Sequence, residues 1–275
     1  MPQIYADMHV HSLYSDGRVS PEDLLLSAAY AGLSVLALTD HDTVDGIEPM
    51  RVALSGDAPR IVPGVELSCT EGDREIHLLG YWIDPEHRPL RRELRRIRDA
   101  RIDRAQNIVD RLREHQIALE FDDVMALTRN GLVGRLHIAE VMRRSGHVPD
   151  LQAAFRDYLG DGRPAVVPKR FLTPEEGIRI IRDAGGVAVL AHPGIGGVAG
   201  MAGRLKEQGL HGLEVWHPKH THRENERFAE LCTTLGLVPT GGSDYHGSHT
   251  GTGTLGYFGL TLEGYERLAG SASIS

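Results

Sequence analysis

Cysteine is nearly absent from this chain: Cys69 and Cys232 are the only two in 275 residues. Two thiols cannot build a disulfide framework, and they show no CxxC spacing, so a stapled scaffold and a thiolate zinc site are both excluded. Each reads as a small buried hydrophobe. Long apolar runs are missing as well, none reaching the roughly 18 residues that a membrane-spanning helix requires. The N-terminus enters a strand-like segment at once, without the basic region and apolar stretch of a leader peptide. The expectation is a soluble, cytoplasmic protein with no membrane partner. The glycine-rich stretch 194–203 lacks the Lys-Ser/Thr ending of a phosphate-binding loop and the GxGxxG spacing of a dinucleotide site, and it reads as a mobile loop.

What is present is enough to bury a full core: 275 residues with 41% hydrophobic content suit one large domain, or one domain carrying an insertion. The net charge of −8 is unevenly spread. Residues 86–172 hold 18 basic against 13 acidic side chains, and the rest of the chain holds 12 against 25. Such asymmetry fits an acidic body that houses cations and a basic segment that faces an anionic ligand, although a solvated helix face would give the same composition.

Apolar and β-branched segments at 4–10, 34–39, 60–67, 75–82, 187–191, 212–216 and 238–242 read as strands. Helical patterns separate them. Ser20, Pro21 and Gly32 supply an N-cap, a first helical residue and a stop, and Thr173-Pro174 opens another helix in the same way. Strand-helix alternation points to a parallel α/β barrel. The pattern breaks over 86–172, where an Arg-rich helix from Leu90 to Glu114 leads into three shorter helical patterns, with no strand signal before Ala165-Val166-Val167. The expected organisation is therefore a barrel from 1–85 and 173–275 with a mainly helical cap at 86–172.

Fifteen histidines stand out, because several fall where strands end. His9 and His11 lie two apart, so they can share one face of the first strand, and Asp16 follows in a Ser-Asp-Gly turn. His41 follows the second strand, Glu66 ends the third, and His77 lies within the fourth. His192 follows the fifth, and Asp244 and His246 follow the seventh. The C-terminal strand ends of an α/β barrel form its active-site face, so these side chains converge. Six imidazoles and three carboxylates are too many for one ion that must keep a position open. They suit two or three divalent ions, Mn²⁺ foremost, with Fe²⁺ or Zn²⁺ also compatible. A carboxylate such as Glu66 can bridge two ions, and ions about 3.5–4 Å apart clamp the attacking and leaving oxygens of a phosphoryl centre.

The blocks DMHVHSLYSDG (7–17), LALTDHDT (36–43), PGVE (63–66), AHPG (191–194) and GSDYH (242–246) resemble the PHP (polymerase and histidinol phosphatase) family. The resemblance covers about residues 3–247. It implies a distorted seven-stranded, TIM-like (β/α)7 barrel with a trinuclear metal centre. One ion would lie among His9, His11, Glu66 and Asp244, a second among Glu66, His77 and His192, and a third among Asp16, His41 and His246. Asp16 stands where several branches have histidine, which points away from the histidinol phosphatases. GRLHIA (134–139), YLGDGRP (158–164) and VPK (167–169) look like the capped members that remove the 3′-phosphate of nucleoside 3′,5′-bisphosphates, with relatives that trim short RNA from its 5′ end. Leu136 replaces the commoner proline and leaves Arg135 and His137 in place.

The resemblance thus implies a phosphoesterase in which His9, Glu66 and Asp244 carry the chemistry at the metals and Arg135, His137 and Lys169 bind the substrate's phosphate, Arg135 through its planar donor fork. His220 is expected to donate to phosphate or to protonate the leaving group, with His217 a weaker candidate. His87, His115, His147, His211, His222 and His249 receive no role. The expected partner is a small nucleotide, pAp being converted to AMP, with short 5′-phosphorylated RNA as a further substrate; the oligomeric state is not legible. Two other functions compete. One is a phosphodiesterase opening a ribosyl cyclic phosphate, and the other is a nucleic-acid-binding or metal-sensing module. The second does not call for so many ligands around ions open to water.

Overall fold

The computed structural model describes residues 3–272 apart from 55, 57, 73, 129–131, 169–170 and 249–252. Seven strands form one sheet in sequence order: β1 (Ala6–Val10), β2 (Val35–Leu38), β3 (Arg60–Glu71), β4 (Arg74–Tyr81), β5 (Val187–Leu190), β6 (Gly212–Trp216) and β7 (Val238–Gly241). A parallel bridge from Val10 to Tyr245 brings the chain after β7 back to β1, so the barrel is nearly closed.

One expectation needs correcting, because the barrel is mixed rather than parallel. β1, β2 and β3 run parallel, as do β5, β6 and β7, but β4 is antiparallel to both β3 and β5. The cause is local. β3 continues to Glu71 and β4 starts at Arg74, and a two-residue link can join only antiparallel neighbours, with Gly72 at φ 60° making the turn.

Helix α1 (Pro21–Tyr30) starts where Ser20 accepts from Asp23 N at 3.1 Å, and α2 (Ile47–Val52) follows β2. Further on come α3 (Arg88–Glu114), α4 (Phe121–Ala126), α5 (Arg135–Arg144) and α6 (Leu151–Ala154), which runs into a π-helical turn at Phe155–Leu159. No strand forms at Ala165–Val167; the carbonyls of Val166 and Val167 accept from Arg111 and Arg104 of α3 instead. α7 (Pro174–Asp183) opens on a capping box in which Thr173 accepts from Glu176 N and Glu176 accepts from Thr173 N. The glycine-rich segment expected as a loop is a 3₁₀ turn, Ile195–Met201, running into α8 (Ala202–Glu207). α9 (His222–Leu235) and α10 (Leu262–Ala272) complete the fold.

The chain divides into two compact units, one of residues 1–93 and 172–275, the other of residues 94–171. In the first, residues two apart along the strands, such as Ala6 and Met8, Val35 and Ala37, and Val187 and Val189, share a buried cluster with Tyr265 and Leu268 of α10. The second has its own core, in which Ile108 and Leu112 of α3 meet Val124, Ile138, Met142 and Leu159.

Candidate metal centre

Most of the site lies at or just past strand ends, where the backbone leaves the ladder, while Glu66 and His77 project from within the paired strands β3 and β4. Gly242 comes up hard against β1: a Cβ on it would stand 2.3 Å from His9 Cβ, so the GSDYH segment reaches β1 only without a side chain. His192 and Asp244 are held at φ 25° and 50°, a region costly for side chains of this type and one where strain concentrates at functional sites. Asp42, also at φ 50°, accepts from Ser68 N at 2.7 Å and ties the segment after β2 to β3.

Glu66 is the hub. Its Oε2 lies 3.1 Å from His9 Nε2, 3.2 Å from His11 Nε2 and 3.2 Å from His41 Nδ1. Its Oε1 lies 2.7 Å from His77 Nδ1 and 2.9 Å from His192 Nε2. Asp244 Oδ1 stands 3.5 Å from His9 Nε2 and 3.2 Å from His11 Nε2, joining the first strand to the seventh. Asp16 Oδ1 reaches His246 Nε2 at 3.1 Å, and its Oδ2 stands 3.8 Å from His41 Nε2. A Cβ on Gly17 would meet His11 O at 2.4 Å, which explains the glycine after Asp16.

The electrostatics of this cluster call for positive charge. Burial opposes protonation of His11, yet Asp244, Glu66 and Asp16 outweigh it and push the imidazole up to about 10. Burial is likewise overcome at His77, pushed up to about 10 chiefly by Glu66 and Glu75. His41 goes the other way, down to about 4, because burial, with His11 and His77 beside it, exceeds the pull of Glu66 and Asp16. Burial favours the neutral acid of Glu66, but His41, His9 and His77 hold it well below the usual carboxylate range. The buried His11 Nε2 and His41 Nδ1 stand beside carboxylate oxygens without making a hydrogen bond. Imidazole nitrogens aimed at carboxylates in this way are the donor set of an ion-binding site. Among the described residues four sets could each hold a cation: His9, Glu214 and His217; His9, His11, Glu66 and Asp244; His11, Asp16, His41 and His246; and His41, Glu66 and His77. His192 joins the last through Glu66 Oε1.

A model of the PHP domain matches residues 7–160, more than half of the chain. The chain belongs to the PHP-domain family. It is 33% identical over 260 residues to the 3′,5′-nucleoside bisphosphate phosphatase of Chromobacterium violaceum, covering 91% of this chain and 90% of that one. It is also 33% identical over 247 residues to the 5′-3′ exoribonuclease Rnm of Escherichia coli, covering 87% and 84%. Among solved structures, a Bifidobacterium adolescentis protein assigned to the metal-dependent phosphoesterases superposes with a TM-score of 0.84 at 28% identity, covering 98% of this chain and 96% of that one. As a PHP-family protein, the chain falls in the class of metal-dependent phosphoesterase hydrolases.

The nine residues expected at the metals gather around Glu66 and Asp16. Arg135 and His137 lie on α5, in the unit of residues 94–171. Arg135 donates to Leu159 O at 2.9 Å and to Asp161 Oδ1 at 2.8 Å, and His137 Nδ1 accepts from Gly134 N at 3.1 Å. Lys169 and His249 lie outside the described residues. His220 donates from Nδ1 to Val215 O at 2.9 Å and accepts at Nε2 from Gly194 N at 3.2 Å, so backbone groups engage both nitrogens.

Three further residues border the cluster, of which the sequence offered His217 as a weaker candidate and did not reveal Asp40 or Glu214. His217 accepts at Nδ1 from Lys219 N at 3.2 Å, which places its proton on Nε2, 3.3 Å from Asp244 Oδ2. Asp40 accepts from Ser12 N, Ser12 Oγ and Ser15 Oγ at 2.7, 2.6 and 2.5 Å. Glu214 lies fully buried in β6 against His9. A carboxylate inside an otherwise apolar strand was the one available signal for Glu214.

Proposed function

We propose that this chain removes the 3′-phosphate of nucleoside 3′,5′-bisphosphates, converting pAp to AMP, and that it also accepts short 5′-phosphorylated RNA. The observation carrying this reading is Glu66, one carboxylate placed against five imidazoles, in a chain 33% identical to a nucleoside bisphosphate phosphatase over nine-tenths of both lengths.

His9, His11, Glu66 and Asp244 would hold one divalent ion, Glu66, His77 and His192 a second, and Asp16, His41 and His246 a third, with Mn²⁺ as the native metal ahead of Fe²⁺ and Zn²⁺. Bound there, such ions lower the pKa of water and neutralise charge developing at phosphorus. Glu66 brings imidazoles from four other strands or their ends, β1, β2, β4 and β5, to one point. Asp244, held by His217, fixes the orientation of the His9 and His11 rings. Residues 86–172 serve as the cap. There Arg135 would exchange the exposed Asp161 for the substrate's second phosphate, a favourable trade because the guanidinium fork matches a phosphate at least as well as a carboxylate. His137, with Nδ1 occupied by Gly134 N–H, carries its proton on Nε2 for the same task, and Lys169 adds a third donor. His220 acts as leaving-group acid only by taking a second proton on Nε2 and releasing Gly194.

The test is turnover of pAp, AMP, short 5′-phosphorylated RNA and a ribosyl cyclic phosphate by stripped enzyme with Mn²⁺ added back. Phosphate release from pAp, with AMP accumulating, is the expected result. Opening of the cyclic diester with pAp untouched would replace this reading with the phosphodiesterase one.

A further inference from the structure

Glu214 sits in the interior of β6 with no solvent exposure, and its two oxygens face two different site segments. Oε1 accepts from His9 Nδ1 at 2.9 Å, and Oε2 accepts from the backbone N–H of His192 at 2.7 Å. Both partners belong to the metal centre, one on β1 and the other just past β5. We propose that Glu214 is a positioning residue of that centre: it fixes the proton of His9 on Nδ1, so that the Nε2 lone pair faces Glu66 and Asp244, and it anchors the strained backbone at His192. This inference rests on the reading of the strand-end cluster as a metal site.

The geometry decides against the competing account, in which His9, Glu214 and His217 themselves surround a further cation. The atoms of that set are already matched donor to acceptor. His9 Nδ1 and His192 N fill the two oxygens of Glu214, and His217 accepts from Lys219 N while facing Asp244 through Nε2. On the opposite side of the His9 ring, Nε2 stands 3.1 Å from Glu66 Oε2 and 3.5 Å from Asp244 Oδ1. With the proton on Nδ1, a neutral ring meets these two carboxylates with a lone pair, an arrangement that only a cation makes favourable. A carboxylate behind a ligating histidine fixes its tautomer and raises its basicity.

His192 gives Glu214 its second task. At φ 25° the residue occupies a backbone region unfavourable for a side chain with a Cβ, and surrounding contacts must hold it there. A carboxylate accepting at 2.7 Å from that same N–H supplies such a contact. One buried anion thereby sets the ring of one ligand and the backbone of another.

An amide in its place cannot do both. Its oxygen satisfies one N–H, and its NH₂ then confronts the other. If the oxygen goes to His192, His9 must accept at Nδ1 and move its proton to Nε2, against Glu66. If it goes to His9, the strained His192 loses its anchor. Either outcome weakens one ligand without changing cluster size or shape. Second-sphere changes of this kind typically reduce metal affinity by about 10–100-fold.

The experiment compares wild type, Glu214→Gln and Glu214→Asp by Zn²⁺ titration with metal counting, and by long-range ¹H–¹⁵N correlation of the imidazoles, with His9 assigned by its absence in His9→Asn. Wild type is expected to hold up to three ions with His9 protonated on Nδ1. Glu214→Gln is expected to bind its weakest ion about 10–100-fold less tightly with a native thermal melt, and Glu214→Asp, which keeps both acceptors on a shorter arm, to recover part of the loss. Wild type binding no ion would refute the metal reading itself. Wild type binding ions while Glu214→Gln matches it, a His9 unprotonated at Nδ1, or a further ion lost only on changing His217, would overturn the Glu214 assignment alone. If Glu214→Gln fails to fold, the wild-type tautomer decides.

Discussion

Asp40 tests whether the loop carrying Asp16 is held in place by one buried acceptor. The carboxylate is almost fully buried and accepts from Ser12 N, Ser12 Oγ and Ser15 Oγ. Ser12 O in turn accepts from Gly17 N at 3.0 Å, so Asp16 is flanked on both sides by residues tied to this knot. Burial raises the Asp40 carboxyl above its usual range despite the donors from Ser12 and Ser15. A raised carboxyl means that the folded state binds its proton more readily than the unfolded chain does, so charge at this position costs stability and acceptors contribute it. Asp40→Asn keeps an acceptor for Ser12 N, and the serine hydroxyls can turn to accept from the new NH₂. Its cost is expected to be about 1 kcal/mol or less. Asp40→Ala strands the buried Ser12 N–H and both hydroxyls. A buried unsatisfied donor costs about 1–3 kcal/mol, and a water entering the vacated space recovers part of the rest, giving an expected loss near 3 kcal/mol. Urea denaturation reads the stability, and metal counting reads the consequence: Asp40→Ala should hold about one ion fewer than wild type, because Asp16 belongs to a single cluster. Equal midpoints for the alanine and asparagine variants, or a full complement of ions in Asp40→Ala, would refute the reasoning.

Purified enzyme should contain two to three equivalents of Mn, Fe or Zn and lose turnover on chelation; full activity with one ion or none would sink the mechanism. Glu66→Ala and His9→Ala should each lower kcat/KM by orders of magnitude in the same phosphate-release assay, since each removes a ligand that supports both water activation and charge neutralisation. Arg135→Ala should weaken use of a bisphosphate more than use of a small activated monoester. Losing one charge-assisted contact of about 1.5–3 kcal/mol separates the two substrates by roughly ten- to a hundredfold in relative kcat/KM, and an equal fall for both would assign Arg135 to the fold. Burial lifts the Cys69 thiol well above its ordinary value, with Asp42 and Glu176 adding to it, and pushes Cys232 up to about 12. Ellman's reagent at pH 8 should therefore find no reactive thiol in the native protein and both thiols in denaturant, and rapid native labelling would contradict the packing around either.

The strands were legible because buried β-strands are written as short β-branched runs, and the histidines because strand ends gather chemistry. The direction of β4 was misread. The polar end of β3, Ser68 to Glu71, was not read as strand, yet even the seven residues then left between β3 and β4 are too few for a parallel crossover, so the antiparallel pairing was available from loop length alone. The helix starts at Ser20 and Thr173 were readable from three or four adjacent residues, since a cap is a local interaction. Glu214 and Asp40 were not, because their partners lie far along the chain: His9 is 205 residues from Glu214, and Ser12 is 28 from Asp40. Arg135 could be named, but its present engagement with Asp161 and Leu159 depends on how α5 packs against the segment after the π-helical turn. Motif residues that face a ligand leave a trace in local sequence, whereas the groups that aim them are specified only by the fold.

The same distinction explains where this molecule accepts strain. Two residues of the cluster, His192 and Asp244, have positive φ, and carboxylates and imidazoles crowd around Glu66 at distances that leave nitrogens such as His11 Nε2 unpaired. The positive φ values carry a backbone cost, and the crowded carboxylates are balanced in the ion-free chain only by protonating neighbours such as His11 and His77. Strand bodies such as Val35–Leu38 and Val187–Leu190 are buried throughout, and they hold the strand ends in register. Buried acceptors then pin the loops: Asp40 takes the loop after β1, Asp42 the start of the segment after β2, and Glu214 the backbone after β5. Each of the three ties a segment beside the cluster to a neighbouring one through a backbone N–H. Cations at the cluster remove the mismatch that remains, so the ion-bound state is the one for which this set of acceptors and donors balances.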